Sequence, residues 1–434
     1  MGVIGRRRCL QLTALAAAYG VSGLGLAASS RAPAKGRVVI VGGGFAGSAC
    51  ALHLRQLNPS IDVSLIDPAE HYATGPMSNA VLVGLRDMAS ITVSRAGVRR
   101  AGVKVVRERV AGIDATGRSV RLEGGLALPF DRLVVAPGIR FLWNKLEGYD
   151  EAATQTMPHA WQAGAQTQRL AMQLRAMDDG GVVAISVPSG LLRCPPAPYE
   201  RASLIAHYLS QHKRRSKVLI FDSNNHFPRQ DLFTDAWQSR YPGIIEWIPP
   251  PQDGALVRVD PASMTLYTSH AAHPVAVANI IPPQAPGQVA ADAGLASDHG
   301  WCPIAPRTFE SLLISHVHVI GDACIADAMP KSASAAYSQA RQCASAIAAL
   351  LAGREVPEPT FNSVCYSMLA PQSAISIHGR FDIQDGRIVA VESPAAPTAA
   401  APTATVSATT TAGAQQAREA QRWYRSIRAD SFAG

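Results

Sequence analysis

The side chains with the greatest chemical reach in this sequence are its cysteines, and their settings differ. Cys9 lies in the N-terminal stretch, and the other six are Cys50, Cys194, Cys302, Cys324, Cys343 and Cys365. None stands in C-x-x-C or C-x-x-C-H spacing, so zinc-ribbon and covalent-haem readings fail. Cys50 and Cys343 fall in alanine-rich helical stretches, where a buried, inert thiol is the ordinary outcome. Cys194 is different, sitting in the run Arg193, Cys194, Pro195, Pro196, Ala197, Pro198, Tyr199, Glu200. Prolines at three of four consecutive positions fix the backbone and leave few N–H donors free, as suits a rigid shelf for a reactive cysteine. Cys365, followed by Tyr366 and Ser367, is the second thiol in an unusual setting.

The strongest local signal lies near the start of the chain. Arg37 to Val41 is a short apolar β-branched run, followed by Gly42, Gly43, Gly44, Phe45, Ala46 and Gly47 and a helical stretch to Asn58 that Pro59 closes. A second strand, Asp62 to Ile66, ends at Asp67. Gly42 permits a tight turn, Gly44 lets the backbone approach a pyrophosphate, and Gly47 lets helix pack closely on strand. The helix directs its free N–H groups and roughly half a unit of positive charge at the phosphates. Asp67 is placed to accept from a ribose 2'-hydroxyl. Two later segments favour FAD over NAD here. Leu133 to Gly138 reads as a buried strand ending in a tight turn at Ala136, Pro137 and Gly138. Val317 to Ile320 runs into Gly321 and Asp322, a second flavin motif whose aspartate holds the ribityl chain. Pro330, Lys331 and Ser332 then introduce an alanine-rich helix to Leu351, whose N-terminus would stabilise negative charge on a reduced flavin. His316 and His318 alternate along the preceding strand and, without a third ligand, read as packing or hydrogen-bonding groups, so no metal site is expected.

Between these motifs lies what reads as a second dinucleotide fold that has lost its nucleotide. Gly181 to Ser186 is a strand, Glu200 to Gln211 a helix, and Val218 to Asp222 the next strand. The intervening turn, Val187 to Leu192, carries no glycine fingerprint, so a nicotinamide substrate is not expected. The composition agrees with a large folded core: 434 residues, 47% hydrophobic and 17% charged. The formal charge of +8 is concentrated in Arg6, Arg7, Arg8, Arg31, Lys35 and Arg37, so a nucleic-acid partner finds little support. The run Lys213 to Lys217 lacks interleaved aromatics and reads as a solvated turn. Arg6 to Arg8, followed by an uncharged, mildly apolar stretch to Ser30, resembles a twin-arginine export signal. That reading makes the chain periplasmic, with no integral membrane segment in the mature protein.

Several motifs together resemble the flavoprotein subunit of flavocytochrome c sulfide dehydrogenase. They are the run Arg193 to Ser203, the triplet Trp301, Cys302, Pro303, the stretch Gly321 to Lys331, Cys365 to Ser367 with Leu369 to Pro371, and Pro158 to Trp161. The resemblance implies an α/β fold of glutathione-reductase type with two Rossmann-like dinucleotide-binding domains and a smaller C-terminal domain. The boundaries read as 1–30 for the signal, 36–146 with 278–356 for the FAD domain, 147–277 for the second fold, and 357–434 for the last, with an Ala/Pro/Thr-rich linker at 393–413. It implies a redox-active disulfide whose cysteines match Cys194 and Cys365. A structural disulfide or two unpaired core thiols are the blander alternatives. Hydrosulfide would attack one sulfur to give a persulfide, and the released thiolate would pass two electrons to FAD and then to a partner cytochrome c subunit. Glu200 matches a family glutamate that manages protons; the alternative is a solvated carboxylate at a helix start. FAD contacts are expected from Gly42, Gly44, Phe45, Ala46, Gly47, Asp67, Val110, Ala136, Pro137, Gly138, Gly321, Asp322, Lys331 and Trp423, although Trp423 also reads as an anchor for the tail.

One departure stands out. The family tethers its flavin to a cysteine in a Tyr-Thr-Cys context, whereas this sequence has Tyr72, Ala73, Thr74, Gly75, Pro76. Gly75 at the tethering position implies non-covalent FAD. Two other readings stay in view: a sulfide:quinone oxidoreductase, and a non-catalytic, flavin-containing stimulatory subunit of a sulfur-oxidation complex.

Overall fold

The computed structural model of the chain describes residues 36–143, 145–391 and 411–433. The expected export signal and most of the expected linker lie outside the described residues. Arg37–Val41 forms the centre of a parallel sheet because four consecutive β-branched residues, Val38 to Val41, are buried on both faces. Asp62–Ile66 and Lys104–Val106 lie to one side, Arg132–Val135 and Val317–Val319 to the other. Helices Phe45–Leu57 and Ala333–Leu351 pack together, with Cys50 and Cys343 buried in their contact. Small side chains at this seam let the two helices approach closely enough to bring both N-termini to one end of the sheet.

The second parallel sheet runs Ile245–Ile248, Lys217–Asp222, Val182–Val187, Val277–Ile280. The strand Val277–Ile280 pairs with Val182–Val187, so this domain extends beyond the boundary at 277 expected from sequence; these four buried residues complete its sheet. An antiparallel pair, Ile139–Phe141 with Gln284–Pro286, carries the chain between the two folds.

The C-terminal part is a three-stranded antiparallel sheet, Phe361–Ala370, Ser373–Gln384 and Arg387–Ala390. Helix Thr411–Phe432 then returns across it. This helix begins inside the segment expected to be linker. Gly413 explains why: an added Cβ there would lie 2.9 Å from Ser373 Oγ, so the helix start is docked against the sheet. Its inward face, Ala417, Ala420, Tyr424, Ile427 and Phe432, is buried. The Phe432 ring meets Phe45 edge-on at 5.2 Å, and Tyr424 Oη lies 2.8 Å from Thr74 Oγ1. Helix Thr411–Phe432 therefore closes over the first glycine turn and the Thr74 segment.

The turn after Arg37–Val41 tolerates nothing but glycine at its critical points. Gly42 has φ of +99°, and a Cβ on Gly47 would stand 1.8 Å from the Gly42 carbonyl oxygen. Gly47→Ala is expected to lower unfolding stability by about 3 kcal/mol, the scale of overpacking against fixed backbone. Urea denaturation of the variant beside wild type checks this.

Candidate active site

Residues around the first glycine turn form a cradle with the donors a pyrophosphate requires. Helix Phe45–Leu57 has no side-chain cap and no acidic residue in its first turn, so the N–H groups of Phe45, Ala46 and Gly47 have no hydrogen-bond partner among the described residues. A Cβ on Gly44 would meet nothing closer than Tyr72 at 3.8 Å, which leaves room for a ligand to reach them. From Gly42 a cleft of about 840 Å³ runs past Asp67, Val110, Pro137 and Arg140. Ala136 and Gly138 shape its floor through the backbone: Ala136 N–H donates to Val41, and Gly138 carbonyl receives Gly287 N–H.

Asp67 lines this cleft, but much of its carboxylate is already engaged. It accepts from Gly43 N–H at 2.7 Å, from Ala69 N–H at 2.9 Å, and pairs with Arg95 at 2.9 Å. A carboxylate has roughly four acceptor sites, so one remains for a ribose hydroxyl. Arg95 is buried and also donates to the carbonyls of Gly43 and Ala69, tying the glycine turn to the acid. Sequence reasoning missed it, because a lone arginine remote from Gly43 carries no local signal.

At the far end, Gly321 (φ +76°) donates its N–H to Gln339 Oε1 at 2.7 Å, which fixes the turn into Asp322. The Asp322 carboxylate has no hydrogen-bond donor among the described residues, and burial raises its affinity for a proton against the pull of Arg193 and Lys331. An unpaired, largely enclosed carboxylate beside this turn fits a polyol hydroxyl. Lys331 does not present its ammonium to the cleft. It donates to the carbonyls of Asp322 and Cys324, each at 2.8 Å, and lies 3.8 Å from the centre of the Trp301 ring. Two of its three ammonium hydrogens are thus committed to backbone carbonyls.

The Lys331 backbone leads directly to the first reactive cysteine. Cys194 has φ of +54°, a left-handed conformation that costs a β-carbon residue of order 1 kcal/mol or more. Its N–H donates to Lys331 carbonyl at 2.7 Å and its carbonyl receives Ala197 N–H at 2.9 Å, which hold it there. Pro196 and Pro198 flank the start of helix Ala197–His212, so that end offers few donors to a phosphate. Asp222, where a second nucleotide's ribose would be read, is filled by Tyr199 Oη at 2.6 Å and Trp247 Nε1 at 2.9 Å.

Cys365 arrives on the strand Phe361–Ala370, and the hydroxyl of Ser332, the residue that caps helix Ala333–Leu351, favours its thiolate. Both cysteines are free thiols and partly accessible. Burial pushes both thiols up, and for Cys194 the Cys365, Asp322 and Glu200 charges push further while Arg193 opposes. The Glu200 carboxylate acts on both thiols in the same direction. Glu200 is no solvated helix-start carboxylate: it accepts from Met368 N–H at 2.9 Å and from Asn79 Nδ2 at 2.8 Å, and burial raises it above the ordinary carboxylate range. Trp423 packs against Tyr366, the residue after Cys365, at 5.8 Å. His318 Nδ1 lies 2.9 Å from Thr308 carbonyl, and no cluster of three metal-binding side chains exists among the described residues.

Fold and site together define a flavin-dependent disulfide oxidoreductase framework with two dinucleotide folds. Residues 36–175 match the family model for pyridine nucleotide-disulphide oxidoreductase. Residues 167–282 match that for the central part of the sulfide dehydrogenase [flavocytochrome c] flavoprotein chain, and 357–432 that for the flavin-binding part of flavocytochrome c sulphide dehydrogenase. The flavoprotein chain of that enzyme from Chlorobaculum thiosulfatiphilum is 56% identical over 45 residues, 10% of this chain and 94% of the relative. The chain belongs to the flavocytochrome c sulfide dehydrogenase flavoprotein family. A mitochondrial sulfide:quinone oxidoreductase from Mus musculus is 22% identical over 70% of this chain and 68% of its own. The sulfide-quinone reductase of Aquifex aeolicus is 29% identical, the match spanning 42% of this chain and 41% of that protein. The solved sulfide:quinone oxidoreductase of Aquifex aeolicus superposes with a TM-score of 0.70 at 18% identity, covering 92% of each chain, which establishes the shared fold.

Because Arg95 and Asp67 form a largely enclosed pair, Arg95→Met leaves the acid and the Gly43 carbonyl short of a partner. A loss of about 3 kcal/mol in stability, with weakened flavin retention on gel filtration, is expected. Thermal denaturation of Arg95→Met, Asp67→Asn and the double variant checks whether the two losses are coupled.

Proposed function

We propose that this chain is a periplasmic sulfide dehydrogenase flavoprotein, oxidising hydrosulfide through a Cys194–Cys365 disulfide and FAD and passing the electrons to a cytochrome c. The observation that carries the reading is the convergence of the Cys194 turn and the Cys365 strand beside the second flavin motif: Cys194 N–H donates to the Lys331 carbonyl, and Met368, three residues along the strand from Cys365, donates its N–H to Glu200. In the oxidised enzyme, hydrosulfide attacks one sulfur of the disulfide. The new S–S bond makes a persulfide, the old one breaks, and the other cysteine leaves as a thiolate. Arg193 favours that anion at Cys194, and Ser332 favours it at Cys365. Glu200, held with a raised proton affinity, takes up and returns the substrate proton. When bound, FAD would supply the two-electron sink for joining the thiolate to the outer sulfur of the persulfide, and a second hydrosulfide that carries this sulfur away as a persulfide anion restores the disulfide.

The names of the relatives in Mus musculus and Aquifex aeolicus favour quinone as the competing acceptor. Against it, the apolar face of helix Thr411–Phe432 is spent on the protein's own core, and no described helix is long and apolar enough to cross a membrane. Anaerobic sulfide is expected to bleach the flavin of the wild type, with oxidised cytochrome c restoring its colour and a quinone analogue failing to do so. Cys194→Ser is expected to abolish the bleaching. Retained bleaching in that variant would remove the disulfide route, and recovery with quinone alone would move the chain to the second reading.

The FAD is held without a covalent bond in this reading, because Gly75 replaces the tethering cysteine. A Cβ at Gly75 would meet no atom within 4 Å, so a cysteine fits there. Acid precipitation is expected to leave the wild-type pellet colourless and a Gly75→Cys pellet yellow, with absorbance at the flavin maximum as the measurement.

A further inference from the structure

Asn79 stands between the only two charged neighbours on the start of helix Ala197–His212. It comes from the short helix Ser78–Leu82, just beyond Gly75, and is buried. Its Nδ2 donates to Glu200 Oε2 at 2.8 Å and to Ala197 carbonyl at 3.2 Å, and its Oδ1 accepts from Arg201 Nε at 2.9 Å. The amide orientation follows from chemistry, since a guanidinium can only donate and an ionised carboxylate can only accept. Arg201 is committed elsewhere as well. It donates to Asn279 Oδ1 at 2.7 Å and to the carbonyls of His159 and Ala160 at 3.0 and 2.7 Å, with its guanidinium 5.1 Å from the Trp161 ring. Glu200 and Arg201 are consecutive in sequence, yet they form no ion pair in the structure.

We propose that Asn79 is a positioning residue for the sulfide reaction: it fixes the Glu200 carboxylate beside Cys194 and Cys365 and keeps that carboxylate apart from the Arg201 guanidinium. The proposal rests on the function proposed above. The titratable and charged groups facing Glu200 are Arg201 on its own helix, Cys194 from the preceding segment and Cys365 from the strand Phe361–Ala370. Asn79 and the Met368 N–H are the neutral donors that hold it. With its salt-bridge partner kept away, the carboxylate responds to the protons of its two thiol neighbours. The amide donor limits how far burial raises its proton affinity, so Asn79 sets the pH at which Glu200 can serve as a base.

Two variants separate positioning from scaffolding. Asn79→Ala removes both contacts. Asn79→Asp keeps an oxygen for Arg201 but deprives Glu200 of its donor and adds a negative charge nearby. The measurement is the rate of flavin reduction by sulfide across pH in stopped flow on the flavin-loaded protein. For Asn79→Asp the acidic limb is expected to move up by about one pH unit or more, the effect of losing a hydrogen bond to a buried charge, and for Asn79→Ala, where Arg201 is free to approach the carboxylate, by less. An Asp variant with the wild-type profile, or a uniform fall at every pH without a shift, would overturn the assignment and leave Asn79 as an anchor for Arg201. A second readout does not depend on sulfide: an infrared pH titration of the protonated-carboxyl band that Glu200→Gln deletes. A midpoint raised in Asn79→Asp supports the assignment, and an unmoved midpoint overturns it. Should sulfide fail to reduce the wild-type flavin, the proposed function falls while the infrared titration still decides the role of Asn79. Should reduction proceed normally with unmoved midpoints, only the role of Asn79 falls.

Discussion

Lys331 joins the two halves of the site through opposite ends of one residue. Its ammonium is enclosed by the Asp322 and Cys324 carbonyls and the Trp301 ring, while its own carbonyl receives the Cys194 N–H. Burying an ammonium is costly unless carbonyls and an aromatic face replace water, and here both do. The same contacts lock the turn after Gly321 and present the carbonyl that stabilises the left-handed backbone of Cys194. Flavin motif and thiol shelf are therefore rigid with respect to one another. Ser332, the next residue, extends this register to Cys365.

In the second domain the prolines at the start of helix Ala197–His212 leave few backbone donors, and Asp222 is turned inward to receive Tyr199 and Trp247. The Tyr199 and Phe227 rings stack at 3.7 Å beside it. These contacts stiffen the segment from which Cys194 projects, so the second fold acts as a support for that turn.

Much of this framework was legible from local pattern. The β-branched run at Arg37, the glycine turn and the strand ending at Asp67 are short-range signals, and the structure places each element within a residue or two of expectation. The partners of those residues were not legible. Arg95 reaches Asp67, Asn79 reaches Glu200, and Trp301 covers Lys331 only after separate elements have packed. The boundary expected between 277 and 278 likewise cuts through the strand Val277–Ile280, because which sheet a strand joins is a property of tertiary pairing. For Lys331, spacing reveals the residue's address and not the carbonyls toward which its side chain turns.

The closure of Phe432 on Phe45 and of Tyr424 on Thr74 joins segments that are remote along the sequence. The rim of the first glycine turn is therefore finished only when helix Thr411–Phe432 has docked, and fraying of that helix alone would loosen the turn without unpairing a single strand of the parallel sheet.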